Sequence, residues 1–320
     1  MQKRKRGAAI AMVAAAAMVM AATGQASAEV PSEQAAEVAA TAAAVDAATN
    51  AVDGASGTDA VTSQPGSGDS AAVAETAAGT VDIPASSDGQ ISIGDGAGSV
   101  QISLPDVVNA TGELDPSGET VVYSDPEEPA DLAVQATERG ARALVTIKDA
   151  SAPHRYAFGV DGPEGSRLVS SAEFLGAEYD TGEVLLFAAD GTTLLGTFDA
   201  PWATDAHGAP VPTHYEVTDG EVVQVVDFTA DTAFPVVADP SFWEIAKCVA
   251  AITWLIGSNI VIVAKLIKIK KYIAALGGIR RSAELMIRAS TWEERLRIGG
   301  GALVGLASEV LGISAVRNNC

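Results

Sequence analysis

Asp239-Pro240-Ser241-Phe242-Trp243-Glu244 is the stretch at which this 320-residue chain changes period. Before it, short runs rich in Val, Ile, Leu and Tyr alternate with Gly, Pro, Asp and Asn, the pattern of strands joined by turns. After it, apolar residues recur at helical spacing. Ser241 followed by Glu244 has the spacing of a capping box, which predicts a helix beginning with Phe242 and Trp243. The expected class is α+β and multidomain. An antiparallel sandwich or barrel-like β-domain over 80–240 precedes a small disulfide-closed helical bundle over 241–320.

Upstream of the switch, strands are expected at Gln90–Ile93, Ser99–Leu104, Glu119–Tyr123, Ala141–Lys148, Arg155–Val160, Glu183–Ala188, Thr192–Phe198 and Glu221–Phe228. Asp190-Gly191 is a strong two-residue hairpin signal, and Asp161-Gly162 and Asp219-Gly220 are similar. Many short strands without helical period indicate antiparallel packing.

Downstream, a first helix runs to about Ile256 and is interrupted by Gly257-Ser258-Asn259. A second spans Ile260 to Leu276, with Ile262, Leu266, Ile269 and Ile273 on one stripe and Lys265, Lys268 and Lys271 on the opposite flank. Gly277-Gly278 ends it, Ser282–Ala289 follows, and Thr291…Glu294 forms a second capping box. Gly299-Gly300-Gly301 breaks the last helical stretch before Ala302–Val316.

The N-terminus reads as an export signal. Lys3, Arg4, Lys5 and Arg6 precede the uncharged apolar run Ala8–Ala22, and Ala26-Ser27-Ala28 is an A-x-A site, so cleavage is expected between Ala28 and Glu29. Residues 29–79 are mostly small and polar, which predicts a disordered tether. The expected localisation is therefore extracellular, with envelope or membrane association as the alternative. In an oxidising compartment the only two cysteines, Cys248 and Cys320, can pair. The pair would close a 73-residue loop, a constraint of about 4 kcal/mol. An intermolecular bridge and two free thiols are the alternatives.

The net charge of −21 is unevenly distributed: residues 29–240 balance at −31 and residues 241–320 at +6. Opposed halves point to contact between the acidic β part and the basic helices, or to an anionic partner for the latter. An anionic membrane surface or the cell envelope is the expected partner, and nucleic acid is not. Cys248–Ala264 is an uncharged run of 17 residues, at the lower limit for spanning a bilayer. A buried helix accounts better for both cysteines and for the polar interruption.

Pro201-Trp202-Ala203, Asp205-Ala206, Gly208, Val211-Pro212-Thr213 and Tyr215-Glu216-Val217 form a motif, continued by Val223-Gln224-Val225-Val226 and Phe234-Pro235-Val236-Val237-Ala238-Asp239-Pro240. It resembles a β-domain of secreted actinobacterial-type proteins of Gram-positive bacteria, in which a variable C-terminal cassette follows the P-V-x-x-D-P element. The resemblance covers about residues 140–240, and more loosely the helical tail. It implies an exported carrier or presentation module and brings no catalytic residue.

Catalytic motifs are lacking. His207 and His214 lie seven apart beside Asp205, but no further Cys or His completes a metal set. There is no G-x-S-x-G elbow and no phosphate-binding loop. No enzyme, metal or cofactor is expected. The leading expectation is an acidic β carrier presenting a cationic, membrane-active, bacteriocin-like helical domain, with Lys265, Lys268, Lys270, Lys271, Trp243 and Trp254 facing the lipid. The alternative is a structural or adhesive envelope protein, anchored or oligomerised through its apolar helices.

Overall fold

Two antiparallel sheets enclose one apolar layer, built from every second residue of their strands, and in the central strands of the second sheet the intervening residues are buried as well. The computed structural model describes residues 32–56, 59–94, 99–218, 220–244, 247–258, 263–289 and 291–320, with the backbone alone at 51–56, 243, 244, 247, 248 and 315. Ser32–Cys320 is one compact unit. The expected signal sequence and its Ala28–Glu29 cleavage point lie outside the described residues.

Strands are numbered in chain order. The first sheet runs β1 (Gln64–Pro65), β2 (Ser70–Thr76), β3 (Gly79–Pro84), β4 (Gln90–Ile93), β5 (Val100–Ser103), β10 (Arg155–Asp161), β16 (Glu221–Val226), β15 (Thr213–Thr218). The second runs β11 (Arg167–Ser170), β12 (Val184–Phe187), β13 (Leu194–Phe198), β18 (Ser241–Glu244), β9 (Gly140–Ile147), β8 (Ala130–Thr137), β7 (Thr120–Tyr123), β6 (Glu113–Leu114). β14 (Trp202–Thr204) pairs with β17 (Val236–Asp239), which pairs in turn with β9. Ile83, Ile91, Leu132, Val145, Tyr156 and Phe158 are buried between the sheets.

Helices cover the outer face of the second sheet. At one end lies α1 (Glu33–Ser56), whose Val38, Ala42, Val45 and Ala48 pack on Val122, Ala133, Leu144 and Val237. At the other end, α3 (Lys247–Gly257), α4 (Val263–Leu276), α5 (Ile279–Arg288), α6 (Trp292–Val310) and α7 (Ser314–Arg317) share a core with Val169, Leu185, Phe187 and Leu194. A short α2 (Ser171–Leu175) and a 3-10 turn at Ala177–Tyr179 lie between β11 and β12.

Three expectations are corrected. First, Ser241–Glu244 is a strand, and helix begins only at Lys247. The local capping signal is overridden because strands flank this segment on both sides: Phe242 is opposite Ala141 on β9 and Phe198 on β13, and it is fully buried. β17 and β18 keep one register along β9, with Val236 opposite Ile147 and Trp243 opposite Gly140. Pro240, which has no N–H, interrupts the ladder between them. The sheet therefore crosses the boundary expected at 240/241.

Second, residues 29–79 are not a disordered tether where the structure describes them. α1 orders because its alanines favour helix and two of its valines, Val38 and Val45, find a hydrophobic face. β1 and β2 extend the first sheet below residue 80. Third, Asp161-Gly162 is a crossover between the sheets. Asp190-Gly191 joins the β12–β13 hairpin; β15 pairs antiparallel with β16, but Asp219 of the expected Asp219-Gly220 turn lies outside the described residues.

Candidate functional site: the cationic helices and their seat on the sheet

α4 carries the lysines. Ile269 and Ile273 turn into the core and are fully buried. The opposite face exposes Val263 (72%), Ile267 (47%), Lys268 and Lys271. The helix contains no acidic residue. The structure divides the four lysines into two kinds. Lys268 and Lys271 stand in solvent, with Lys268 Nζ 3.5 Å from Glu309 Oε1. Lys265 is half-buried and 3.9 Å from the same carboxylate. Lys270 turns back to the β part, where its ammonium donates to the Phe174 carbonyl at 3.3 Å. Burial holds its pKa below the usual lysine range.

Trp254 on α3 is 40% exposed, whereas the side chain of Trp243 lies outside the described residues. A second exposed apolar group was not singled out by the sequence reading. It comprises Ile287, Trp292, Leu296 and Ile298, where α5 turns into α6. Its signal is Trp292 and Leu296 one helical turn apart, beside the Thr291–Glu294 capping box that the structure contains. α6 continues across a kink at Gly300, whose φ of 58° suits glycine.

The seat of these helices is a buried carboxylate. Glu183, just before β12, accepts hydrogen bonds from the backbone N–H groups of Ile279 (2.9 Å) and Arg280 (3.3 Å), the first residues of α5. Thr181 Oγ1 donates to it at 2.9 Å. A carboxylate belongs at a helix N-terminus, where the free N–H groups and the dipole favour negative charge. No side chain of α5's own caps this end: its first flanking residue is Gly278, at φ 116°. Any Cβ at 278 would fall 2.4 Å from the Glu183 carboxyl. Burial nevertheless pushes the Glu183 pKa up to about 7, against those hydrogen bonds and with the Asp199 charge adding to the rise. Beside it, Arg280 Nε donates to Asp199 Oδ1 at 2.6 Å.

A buried polar row continues from there across the outer face. Ser241, Arg142, Gln135 and Thr120 occupy paired positions on β18, β9, β8 and β7 and are almost wholly buried. Arg142 Nη1 donates to Gln135 Oε1 (3.2 Å), and Gln135 Nε2 donates to Thr120 Oγ1 (2.9 Å). Ser241 Oγ lies 2.7 Å from Asp239 Oδ2, and Arg142 Nε lies 3.7 Å from it. Burial raises the Asp239 pKa to about 6 despite Arg142. Asp239 is thus the acidic end of a structural network.

The histidines do not converge. His154 stacks on Phe228 with ring centroids 4.0 Å apart, His214 lies 3.8 Å from Glu216, and His207 is on an exposed turn ordered by Asp205. Among the described residues no group of three His, Cys, Asp or Glu could hold a metal, and no helix is long and apolar enough to cross a membrane. No protein-family model matches the chain, and no curated protein is significantly similar to it.

Proposed function

We propose that the chain is an exported protein whose acidic β part carries a cationic, disulfide-closed helical part that acts at anionic membranes. The observation that carries this reading is the outward face of α4, where Val263 and Ile267 lie beside Lys268 and Lys271 with no acid on the helix. Lysines near an anionic bilayer each contribute about 1 kcal/mol, and the apolar pair then enters the acyl boundary. The disulfide is the finer part of the proposal. What supports it is that Cys248 and Cys320 are the chain's two cysteines, and an exported chain would carry them into an oxidising compartment. The contacts of Glu183, Asp199 and Phe174 with α4 and α5 supply the means by which the β part holds the helices. The resemblance to secreted β-domains with a C-terminal cassette agrees with this division.

The test is co-sedimentation and dye release with phosphatidylglycerol and phosphatidylcholine vesicles. Binding should favour the anionic vesicles by at least tenfold and weaken with salt. Lys268→Glu with Lys271→Glu should remove that preference. Equal binding to both vesicles, or none, sinks the proposal. The exposed Ile287, Trp292 and Leu296 favour a second reading, an envelope protein that adheres or oligomerises through this corner. Under that reading Trp292→Ser would change self-association in solution and leave vesicle binding unchanged.

A further inference from the structure

Asp-Pro occurs three times in the chain, at 115–116, 125–126 and 239–240. Such a bond is open to attack from within. The aspartate side chain reaches its own carbonyl carbon through a five-membered ring, and the proline nitrogen, which bears no hydrogen, departs as a secondary amine. The attack needs a carboxyl that still carries its proton, because that proton must end on the leaving nitrogen.

The fold treats the three carboxyls differently. Asp125 is partly exposed and accepts from the Glu127 N–H at 2.9 Å. Asp115 accepts from the N–H groups of Glu119 and Thr120 and from the Ser117 hydroxyl, at 3.1, 3.0 and 2.6 Å. Against its burial, these bonds hold its pKa below the usual carboxylate value. Asp239 is 2% exposed. Facing its carboxyl are Ser241, Arg142 of β9, Trp202 of β14, Tyr215 of β15 and Asp199, the last bound by Arg280. Burial outweighs Arg142 and Ser241, with the Asp199 charge adding to it, so Asp239 keeps its proton up to about pH 6. The bond is also held from both sides. The Tyr215 hydroxyl donates to the Asp239 carbonyl at 3.4 Å, and the Ala143 N–H donates to the Pro240 carbonyl at 3.1 Å. Burial raises the Tyr215 pKa well above its ordinary value, so it remains a donor.

We propose that the chain cuts itself at Asp239–Pro240 in mild acid, the Asp239 carboxyl acting as nucleophile and proton donor while the Tyr215 hydroxyl holds the carbonyl oxygen. A carboxyl oxygen adds to the residue's own carbonyl carbon, and Tyr215 steadies the charge that gathers on the carbonyl oxygen. The C–N bond to Pro240 breaks, its electron pair stays on nitrogen, and the carboxyl proton passes to that nitrogen. Residue 239 is left as a cyclic anhydride, which one water opens to a C-terminal aspartate. Nothing is oxidised or reduced. The bond-breaking step consumes no water, so burial does not oppose it. The basic helical part is then held without a covalent link, by the pairing of β18 with β9 and β13 and by the core it shares with the sheet. The cut stands independently of the membrane reading.

The purified full-length chain is incubated at pH 5 and at pH 8, folded and in urea, and the products are read by denaturing mass spectrometry. The expected products are a fragment ending at Asp239 and the 81-residue fragment beginning at Pro240, their masses summing to the intact mass plus one water. Both cysteines lie in the shorter fragment, so the two separate whatever the cysteine state. The cut should be about tenfold or more faster at pH 5 than at pH 8, and by a similar factor faster in the folded chain than in urea. The bonds at 115–116 and 125–126 should stay whole. Asp239→Asn should abolish the cut, and Tyr215→Phe should slow it about fivefold or more without lowering the melting temperature. Circular dichroism shows whether each variant folds, and Tyr215→Phe keeps the proposal testable should Asp239→Asn unfold. The proposal is overturned by an intact chain at pH 5, by equal cutting in urea or at the other two Asp-Pro bonds, by cutting that persists in Asp239→Asn, or by an unchanged rate in folded Tyr215→Phe.

Discussion

α1 and the C-terminal helices cover opposite ends of one sheet face, α1 with Val38, Ala42, Val45 and Ala48, the C-terminal group with Ile252, Leu255, Ile269, Ile273, Leu303 and Leu306. Small side chains leave α1 few apolar contacts, and polar bonds do much of the fastening. Thr41 Oγ1 donates to the fully buried Asp131 at 2.6 Å, and Gln34 Nε2 donates to the Ser124 carbonyl at 2.9 Å. Burial pushes the Asp131 carboxyl up even against Thr41 and Lys148. The C-terminal helices are fastened the other way, chiefly by large aliphatic side chains, with the buried Glu183 holding the start of α5. The difference predicts two cooperative units of unequal strength on one scaffold.

The largest expected effect tests that inequality directly. Ile273→Ala, at a fully buried position, should cost about 2–5 kcal/mol and lower the main unfolding transition. Val45→Ala, equally buried, removes two methyl groups and should cost roughly 1.5 kcal/mol. Its effect should be local: proteolysis within α1 about tenfold faster, with the main transition nearly unmoved. If Val45→Ala lowers the main transition as far as Ile273→Ala, the two covers form one unit and the comparison fails.

Next in size is the pH response of the C-terminal seat. Glu183 titrates near 7 in the folded chain against an ordinary value of 4.5, so the folded state holds a proton that the unfolded chain has released. Its contribution is full below the ordinary value and is lost as pH rises through about 7. The shift corresponds to roughly 3 kcal/mol. Asp239, near 6 against 3.8, acts with the same sign over the window below. Denaturant midpoints should therefore fall between pH 5 and pH 8. Glu183→Gln should flatten the upper part of that fall and leave the lower part, due to Asp239. A stability that rises over this range would contradict the burial assigned to Glu183.

The sequence was most legible where local and tertiary demands agree. Runs rich in Val, Ile, Leu and Tyr, separated by Gly, Pro and Asp, marked β4, β5, β7, β9, β10, β12, β13 and β16, and Thr291–Glu294 caps α6 as its spacing implied. It misled where a local signal met a stronger non-local one. Ser241…Glu244 has a capping spacing, yet Phe242 has strands on both sides. Strands such as β8 (Ala-Asp-Leu-Ala-Val-Gln-Ala-Thr) were overlooked because alanines and polar residues dominate, although every residue is buried. The same bias made 29–79 look too poor in large side chains to fold, although a sheet face supplies what α1 lacks. For the candidate site, the lysines were visible as a charge run. Their division into exposed Lys268 and Lys271 and inward Lys265 and Lys270 depends on Glu309 and Phe174, which are 41 residues from Lys268 and 96 from Lys270.

The smallest stability effect separates fastening from function at the lysine face. Glu309 lies within 4 Å of both Lys265 and Lys268, at 3.9 and 3.5 Å. Pairs this long, with the lysines still reached by water and salt, contribute little, so Glu309→Gln should change stability by less than about 1 kcal/mol. The same substitution removes the carboxylate that partly neutralises the α4 face and raises the net charge of residues 241–320 from +6 to +7. Affinity for phosphatidylglycerol vesicles should therefore rise severalfold, with a steeper dependence on salt and no change toward phosphatidylcholine. A gain in binding without a gain in stability would mean that the exposed lysines serve a surface outside the molecule. Loss of stability with unchanged binding would mean that they serve the fold, leaving the α1 end of the sheet and the lysine end alike in purpose.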